Sequence, residues 1–133
     1  MLDFVDDISL VEYAQLNHQG SFIYRFNLSE ENVSASVIDI ATGDVFELAP
    51  KQPFSSDRMR ADILEIYPFD WDVHEYMIEA PIYNYQWELN FEFSSCKDVL
   101  HYRGKNRFPY NFREVYYYLK GLIEGYFEKQ SNQ

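Results

Sequence analysis

The sequence has little of what stabilises secreted proteins or inserts proteins into membranes. Cys96 is its only cysteine, which excludes an internal disulfide framework and a cysteine-based structural zinc site. No apolar run approaches the roughly 20 residues that a helix needs to cross a bilayer. The first residues include Asp3, Asp6 and Asp7 and lack the basic start of a signal peptide. We therefore expect a cytoplasmic protein.

Basic side chains are also scarce. Lys and Arg number 11 against 22 Asp and Glu, which gives a formal net charge of −11. A field of this sign repels phosphate backbones and anionic lipid. We therefore expect neither direct nucleic-acid binding nor membrane binding.

Repeats and long linkers are missing too, whereas apolar residues are plentiful. Hydrophobic residues make up 47% of the chain and aromatic residues 19%, which is too much for intrinsic disorder. A chain of 133 residues is long enough to bury its own core. We expect one domain over residues 1–133.

Apolar periodicity predicts an α+β fold. Alternating residues predict six strands, at residues 11–17, 21–29, 33–40, 45–49, 83–93 and 99–103. Ser56 is the predicted N-cap of a short helix that ends before Pro68. Asn111, with Glu114 completing a capping box, is the predicted start of a long helix. The expected architecture is an antiparallel sheet of about six strands with one short helix and one long C-terminal helix packed on it.

Two features of the C-terminal half form a recognisable order. Trp71 and the strand motif Trp87-x-Leu89 precede the segment "GKNRFPYNF" at residues 104–112 and the long helix. This order resembles a diffuse group of small uncharacterised bacterial and mobile-element proteins, whose pattern has a Trp, a W-x-L strand, G-x-N-x-[FY]-P-x-[ND]-[FW] and a closing helix. The resemblance implies no activity. The segment itself indicates architecture, because Gly104 and Asn106 are able to adopt left-handed backbone conformations.

The acidic residues are concentrated in one long run. Residues 61–96 contain eight Asp or Glu and no Lys or Arg, and they include the stretch "DWDVHEY" at residues 70–76. Interleaved aromatic residues suit such a run to a Lys- and Arg-rich protein partner, since aromatic side chains supply affinity and complementary charge selects the partner. The predicted partner-binding residues are Asp70, Trp71, Asp72, Glu75, Tyr76, Glu79, Glu88 and Glu92.

A metal site is the main alternative at the same stretch. In an extended conformation Asp70, Asp72 and His74 point to one face and form a partial set of divalent-cation ligands. Cys96 and His101 flank a predicted turn, where a surface cysteine is favoured over a thiol nucleophile. No phosphate-binding or nucleophile-elbow motif is present in the sequence. We expect no catalytic residue, cofactor or metal.

These observations favour a small acidic inhibitor that occludes a basic surface of a nucleic-acid-handling protein. It is similar in size and charge to anti-CRISPR proteins and to immunity proteins of toxin nucleases. Two alternatives stay open: a metal-dependent module or enzyme centred on Asp70, Asp72 and His74, and an assembly protein of a mobile element that oligomerises through its aromatic sheet face. The sequence also leaves open whether the basic segment 97–113 neutralises the acidic run within the fold.

Overall fold

The protein has eight strands and two α-helices among the residues described. The computed structural model describes residues 3–17, 20–71, 75–77, 85–95, 97 and 99–129. A 3-10 helix at Asp3–Asp7 comes first. The other elements are β1 Ile8–Asn17, β2 Gly20–Asn27, β3 Ser34–Asp39, β4 Val45–Pro50, α1 Ser56–Ile66, β5 Glu75–Met77, β6 Gln86–Phe93, β7 Val99–Lys105, α2 Phe112–Tyr126 and β8 Phe127–Lys129.

The strands form one sheet in the order β5-β7-β6-β1-β2-β3-β4-β8. Neighbouring strands are antiparallel except β5 and β7, which are parallel. The predicted α+β arrangement is confirmed, with a short helix and a C-terminal helix beside an antiparallel sheet. The two strands that the periodicity missed, β5 and β8, have three residues each, which is too short for an alternating pattern to show.

One face of the sheet, the inner face, is covered by both helices. In β6 the side chains of Trp87, Leu89 and Phe91 are each 1% exposed, while Glu88 and Glu92 lie on the opposite, outer face. Helix α1 contributes Met59 and Ile63 to the core, and α2 contributes Phe112, Val115, Leu119 and Leu122. The aromatic sheet face is therefore the core of the protein. The expectation that it serves oligomerisation is wrong, because the helices cover it.

Helix α1 is fixed at both ends by local contacts. Its N-cap is Ser55, whose Oγ accepts a hydrogen bond from the Arg58 backbone N at 3.0 Å. The predicted cap, Ser56, is instead buried, and its Oγ donates to the Glu30 backbone O. Tyr67 ends the helix in a left-handed conformation with φ 58°. The predicted stop before Pro68 is thus confirmed, whereas the start is shifted by one residue.

Asn111 marks the start of α2 as expected, but its side chain makes no cap hydrogen bond. The amide is buried, at 3% exposure, and its Oδ1 accepts a hydrogen bond from Trp71 Nε1. Its Nδ2 donates to the backbone O atoms of Ile66 and Tyr67 at 3.0 and 3.1 Å. One side chain thereby joins the end of α1, the following loop and the start of α2.

The segment that follows β7 packs closely against β6. Asn106 has the expected left-handed backbone, with φ 59°, and its Oδ1 accepts from the Tyr85 backbone N. Gly104 does not have a positive φ. Among the described residues, the glycine that does is Gly43. A Cβ at Gly104 would instead overlap the indole ring of Trp87, whose Nε1 donates to the Arg107 backbone O at 3.0 Å. The glycine permits close packing here.

In the part of the chain that the structure describes, neither helix combines the length and the apolar character needed to cross a membrane.

Candidate functional site

Of the eight predicted partner-binding residues, the structure describes the side chains of four, which are Asp70, Trp71, Glu88 and Glu92. Asp70 is exposed, but Trp71 is only 5% exposed. The Trp71 ring lies 4.6 Å from the Tyr102 ring and 5.8 Å from the Trp87 ring, measured between centroids. The prediction of Trp71 as a surface anchor is wrong, because its large ring fills the core and its N–H is satisfied there by Asn111.

Glu88 and Glu92 are exposed and lie on the outer face, opposite the face that the helices cover. Glu88 is paired in register with Arg103 of β7, and its Oε1 lies 3.0 Å from His101 Nε2. The fold therefore places basic β7 beside this part of the acidic run. Among the described residues, the basic segment thus lies beside both β6 and β5, the two parts of the acidic run that pair with β7.

Several predicted residues fall where the structure gives no side-chain position. Asp72 and Glu79 lie outside the described residues, as do His74 and Cys96. Glu75 and Tyr76 are described as backbone of β5, where they pair in register with Arg103 and Gly104. In the ranges that are described, no three His, Cys, Asp or Glu side chains are grouped closely enough to hold a metal ion.

A groove between the two helices brings other carboxylates together. It has a volume of about 460 Å³ and is lined by Asp62 and Glu65 of α1, by Glu114 of α2, and by Ile66 and Tyr118. Two of the three carboxylates come from α1 and the third comes from α2. The packing of α1 against α2 has thus created an acidic site from residues about 50 positions apart in the chain.

Tyr118 fixes one of these carboxylates from within the groove. Its hydroxyl donates to Asp62 Oδ2 at 2.8 Å. Burial and this hydrogen bond both raise the pKa of Tyr118 above its usual value, so the hydroxyl stays protonated and continues to donate. Arg58 Nε lies 3.9 Å from the same oxygen, Asp62 Oδ2, and offsets part of the charge of the carboxylate. Glu65 and Glu114 are exposed.

Asp70 and Tyr110 form a second hydrogen-bonded pair, outside the lining of the groove. The Tyr110 hydroxyl donates to both Asp70 carboxylate oxygens at 3.0 Å, and the ring is 76% exposed. The hydrogen bond to Asp70 raises the pKa of Tyr110, and the charge of Glu114 acts in the same direction. Tyr110 therefore lies within the field of both carboxylates. We call Asp62, Glu65, Asp70, Tyr110 and Glu114 the helix-side acidic surface.

Three of these five residues belong to the acidic run, but of them only Asp70 is among the predicted partner-binding residues. The sequence predicts Glu114 as half of a capping box, and Tyr110 lies in the segment at residues 104–112 that indicates architecture. The signal for Glu114 is its spacing of four residues from Tyr118, which places both on one side of α2. That spacing does not predict that α1 lies beside α2, because the contact between the two helices depends on the side chain of Asn111.

Comparisons with protein-family models, curated proteins and solved structures find no match to this chain. The case for a function therefore depends on the geometry of the surface. The resemblance to the diffuse group of small bacterial and mobile-element proteins stays a prediction.

Chemically, the helix-side acidic surface offers negative charge and hydrogen-bond acceptors. Carboxylates of this kind accept hydrogen bonds from guanidinium and ammonium groups. The exposed Tyr110 ring adds an amphipathic contact of the type that dominates binding energy in protein interfaces. The arrangement suits recognition of Lys and Arg side chains.

Proposed function

We propose that the protein is a small acidic binding protein that docks its helix-side acidic surface on a Lys- and Arg-rich face of another protein. The observation that supports this most directly is the groove of about 460 Å³ in which Asp62, Glu65 and Glu114 converge from two helices. A groove of this kind has room for a long basic side chain. The flanking Asp70 and Tyr110 then contact the partner around it.

Charge supports the same proposal at longer range. A protein with a net charge of −11 attracts a basic surface before contact, which raises the association rate and makes it dependent on salt. Specific affinity then comes from contacts at the surface itself, where desolvated carboxylates and an aromatic ring select the partner. The two effects are separable by experiment.

The partner class we propose is a nucleic-acid-handling protein, because such proteins display basic surfaces shaped to bind phosphate. The bound protein would block that surface, as an inhibitor similar in class to anti-CRISPR or toxin-immunity proteins. The support for this step is the sign and size of the net charge together with the groove.

Affinity capture with matched variants tests the proposal. The test variant neutralises the helix-side acidic surface and carries Asp62→Asn, Glu65→Gln, Asp70→Asn and Glu114→Gln. The control removes the same charge elsewhere on the exposed surface and carries Glu30→Gln, Glu31→Gln, Glu124→Gln and Glu128→Gln. Both variants have the same net charge, so a difference between them reports the surface and not the overall field.

We expect the wild type and the control to capture the same basic proteins, and the test variant to bind them at least about tenfold more weakly. Capture should also decrease as salt is raised, since the charges are exposed. Equal capture by the test variant and the control would overturn the proposal.

A further inference from the structure

A pocket beside α2 is lined mainly by aromatic side chains, and we call it the aromatic pocket. It has a volume of about 350 Å³, which lies within the size range of small-ligand sites. Its aromatic lining residues are Tyr85, Phe108, Tyr110, Phe112, Tyr116 and Tyr117. Among the described residues that line it, Arg113 is the charged one.

The aromatic pocket and the acidic groove lie on different sides of α2. Arg113, Tyr116 and Tyr117 are three and four residues apart and therefore share one side of the helix. Glu114 and Tyr118, which line the groove, share another side. The aromatic pocket is thus a separate site with a different set of chemical groups.

The lining of the aromatic pocket combines buried and exposed rings. Phe112 is buried, whereas Phe108 is 43% exposed and Tyr117 is 57% exposed. The Phe108 ring lies 4.8 Å from the Phe112 ring and 5.2 Å from the Tyr85 ring, between centroids, and it meets Tyr85 edge to face. Rings that are already held by such contacts lose little freedom when a further ring binds against them.

Arg113 lies at the aromatic pocket without an acidic partner. Its side chain is exposed, and among the residues that the structure describes no carboxylate forms an ion pair with it. Lys120 adds a second positive charge, with Nζ 5.9 Å from the centroid of the Tyr116 ring. Glu124 lies one turn beyond Lys120 and outside the described lining. The charge at this side of α2 therefore suits an anion.

We propose that the aromatic pocket binds a small aromatic carboxylate, with the ligand ring among the lining rings and the ligand carboxylate on Arg113. A guanidinium group binds a carboxylate through two parallel N–H···O hydrogen bonds. An aromatic ligand ring makes stacked and edge-to-face contacts that an aliphatic group does not make. A cationic ligand is disfavoured, because Arg113 and Lys120 already place positive charge beside the rings.

The charge balance favours a ligand with one negative charge over a ligand with two. One guanidinium group balances one carboxylate, whereas a phosphate monoester carries about two negative charges at pH 7. The field of a chain with a net charge of −11 repels the second charge. Asp70 adds to this repulsion, since it accepts a hydrogen bond from the lining residue Tyr110. An aromatic carboxylate therefore fits better than a nucleotide.

Calorimetric titration with four probes tests the chemistry of the ligand. Indole-3-acetate is an aromatic carboxylate, tryptamine carries the same ring with a positive charge, cyclohexylacetate carries the carboxylate without an aromatic ring, and adenosine monophosphate combines an aromatic base with a phosphate. We expect indole-3-acetate to bind, and each of the other three to bind at least about tenfold more weakly. No binding of indole-3-acetate would overturn the proposal, as would equal or tighter binding of any other probe.

Matched variants test the position of the site with indole-3-acetate as the probe. Arg113→Gln removes the charge from the aromatic pocket, and Lys97→Gln removes the same charge from an exposed position outside the described lining. Tyr117→Leu removes an exposed ring but keeps an apolar side chain. We expect Arg113→Gln and Tyr117→Leu each to weaken binding at least about tenfold, and Lys97→Gln to leave it unchanged within about twofold.

Binding that neither Arg113→Gln nor Tyr117→Leu weakens more than Lys97→Gln does would overturn the proposed site. All three substitutions are at exposed positions, so we expect the fold to be retained. Circular dichroism of each variant checks this.

Discussion

At the scale of single residues, Asn111 is the side chain on which the helical layer depends most. Its amide satisfies the Trp71 indole N–H and the backbone O atoms of Ile66 and Tyr67. Asn111→Ala leaves these groups without their partner in the interior, so we expect the free energy of unfolding to fall by about 3 kcal/mol. Denaturant titration measures this change in the free energy of unfolding.

The control for this prediction is Asn32→Ala at an exposed asparagine. We expect that change to alter the free energy of unfolding by less than about 0.5 kcal/mol. Similar losses in the two variants would show that the buried amide has no special role. The sequence indicated the position of Asn111 through its capping pattern, but its three partners come from a distant segment that local pattern does not reveal.

Gly104 is a second residue whose role is visible only in the fold. An added Cβ would overlap the Trp87 ring and lie 2.7 Å from the Arg107 backbone O, neither of which is free to move far. We expect Gly104→Ala to destabilise the protein by about 3 kcal/mol, as overpacking of a core does. Thermal and denaturant unfolding report the loss.

Gly125→Ala is the matched control, since nothing lies within 4 Å of an added Cβ there and the residue is inside α2. We expect it to stabilise the protein by up to about 1 kcal/mol, because alanine favours helix. Equal effects of the two substitutions would contradict the close contact at Gly104.

At the scale of elements, the packing of α2 on the sheet buries several tyrosines. Tyr13 and Tyr85 donate to Gln15 Oε1, and their hydroxyls lie 3.0 Å apart. Burial raises the pKa of Tyr13 well above its usual range and that of Tyr24 to about 12. The pKa of Tyr118 is raised as well. The folded protein therefore holds these hydroxyls neutral at a pH where the unfolded chain ionises them.

This gives a pH dependence of definite sign. A group whose pKa is raised by folding contributes fully below its unfolded value of about 10, and that contribution is lost as the pH rises from there toward the folded value. We expect stability to decline from about pH 10 upward, with the absorbance of the last tyrosines to ionise rising together with the loss of secondary structure. In urea, the tyrosines should titrate near pH 10 without this coupling. Ionisation of all 12 tyrosines while the fold stays intact would contradict this prediction.

The elements themselves were largely predictable, and the reason is periodicity. Residues 83–93 alternate so regularly that the strand and its apolar face follow directly from the sequence, and β6 confirms Trp87, Leu89 and Phe91 as the inward set. The sequence of the strand does not predict what covers that apolar face. A two-residue period says that one face is apolar, but not whether a helix of the same chain or another molecule lies on it.

At the scale of the whole molecule, the acidic run is divided by the fold. Asp62, Glu65 and Asp70 lie on the helix side, where Glu114 joins them, whereas the run continues in β6 on the outer face beside β7. Composition and charge predicted an acidic binding protein but not which side is acidic. That depends on tertiary contacts between segments whose local patterns are independent of each other.

The central claim is that the helix-side acidic surface binds basic side chains, and a residue-resolved NMR titration tests it most directly. The probe is an Arg- and Lys-rich peptide added to labelled protein, with an equally long Glu-rich peptide as the control. We predict that shift changes concentrate at Asp62, Glu65, Asp70, Tyr110 and Glu114 and weaken as salt is raised. Changes concentrated instead on the outer face, or spread over all exposed carboxylates alike, would contradict the claim.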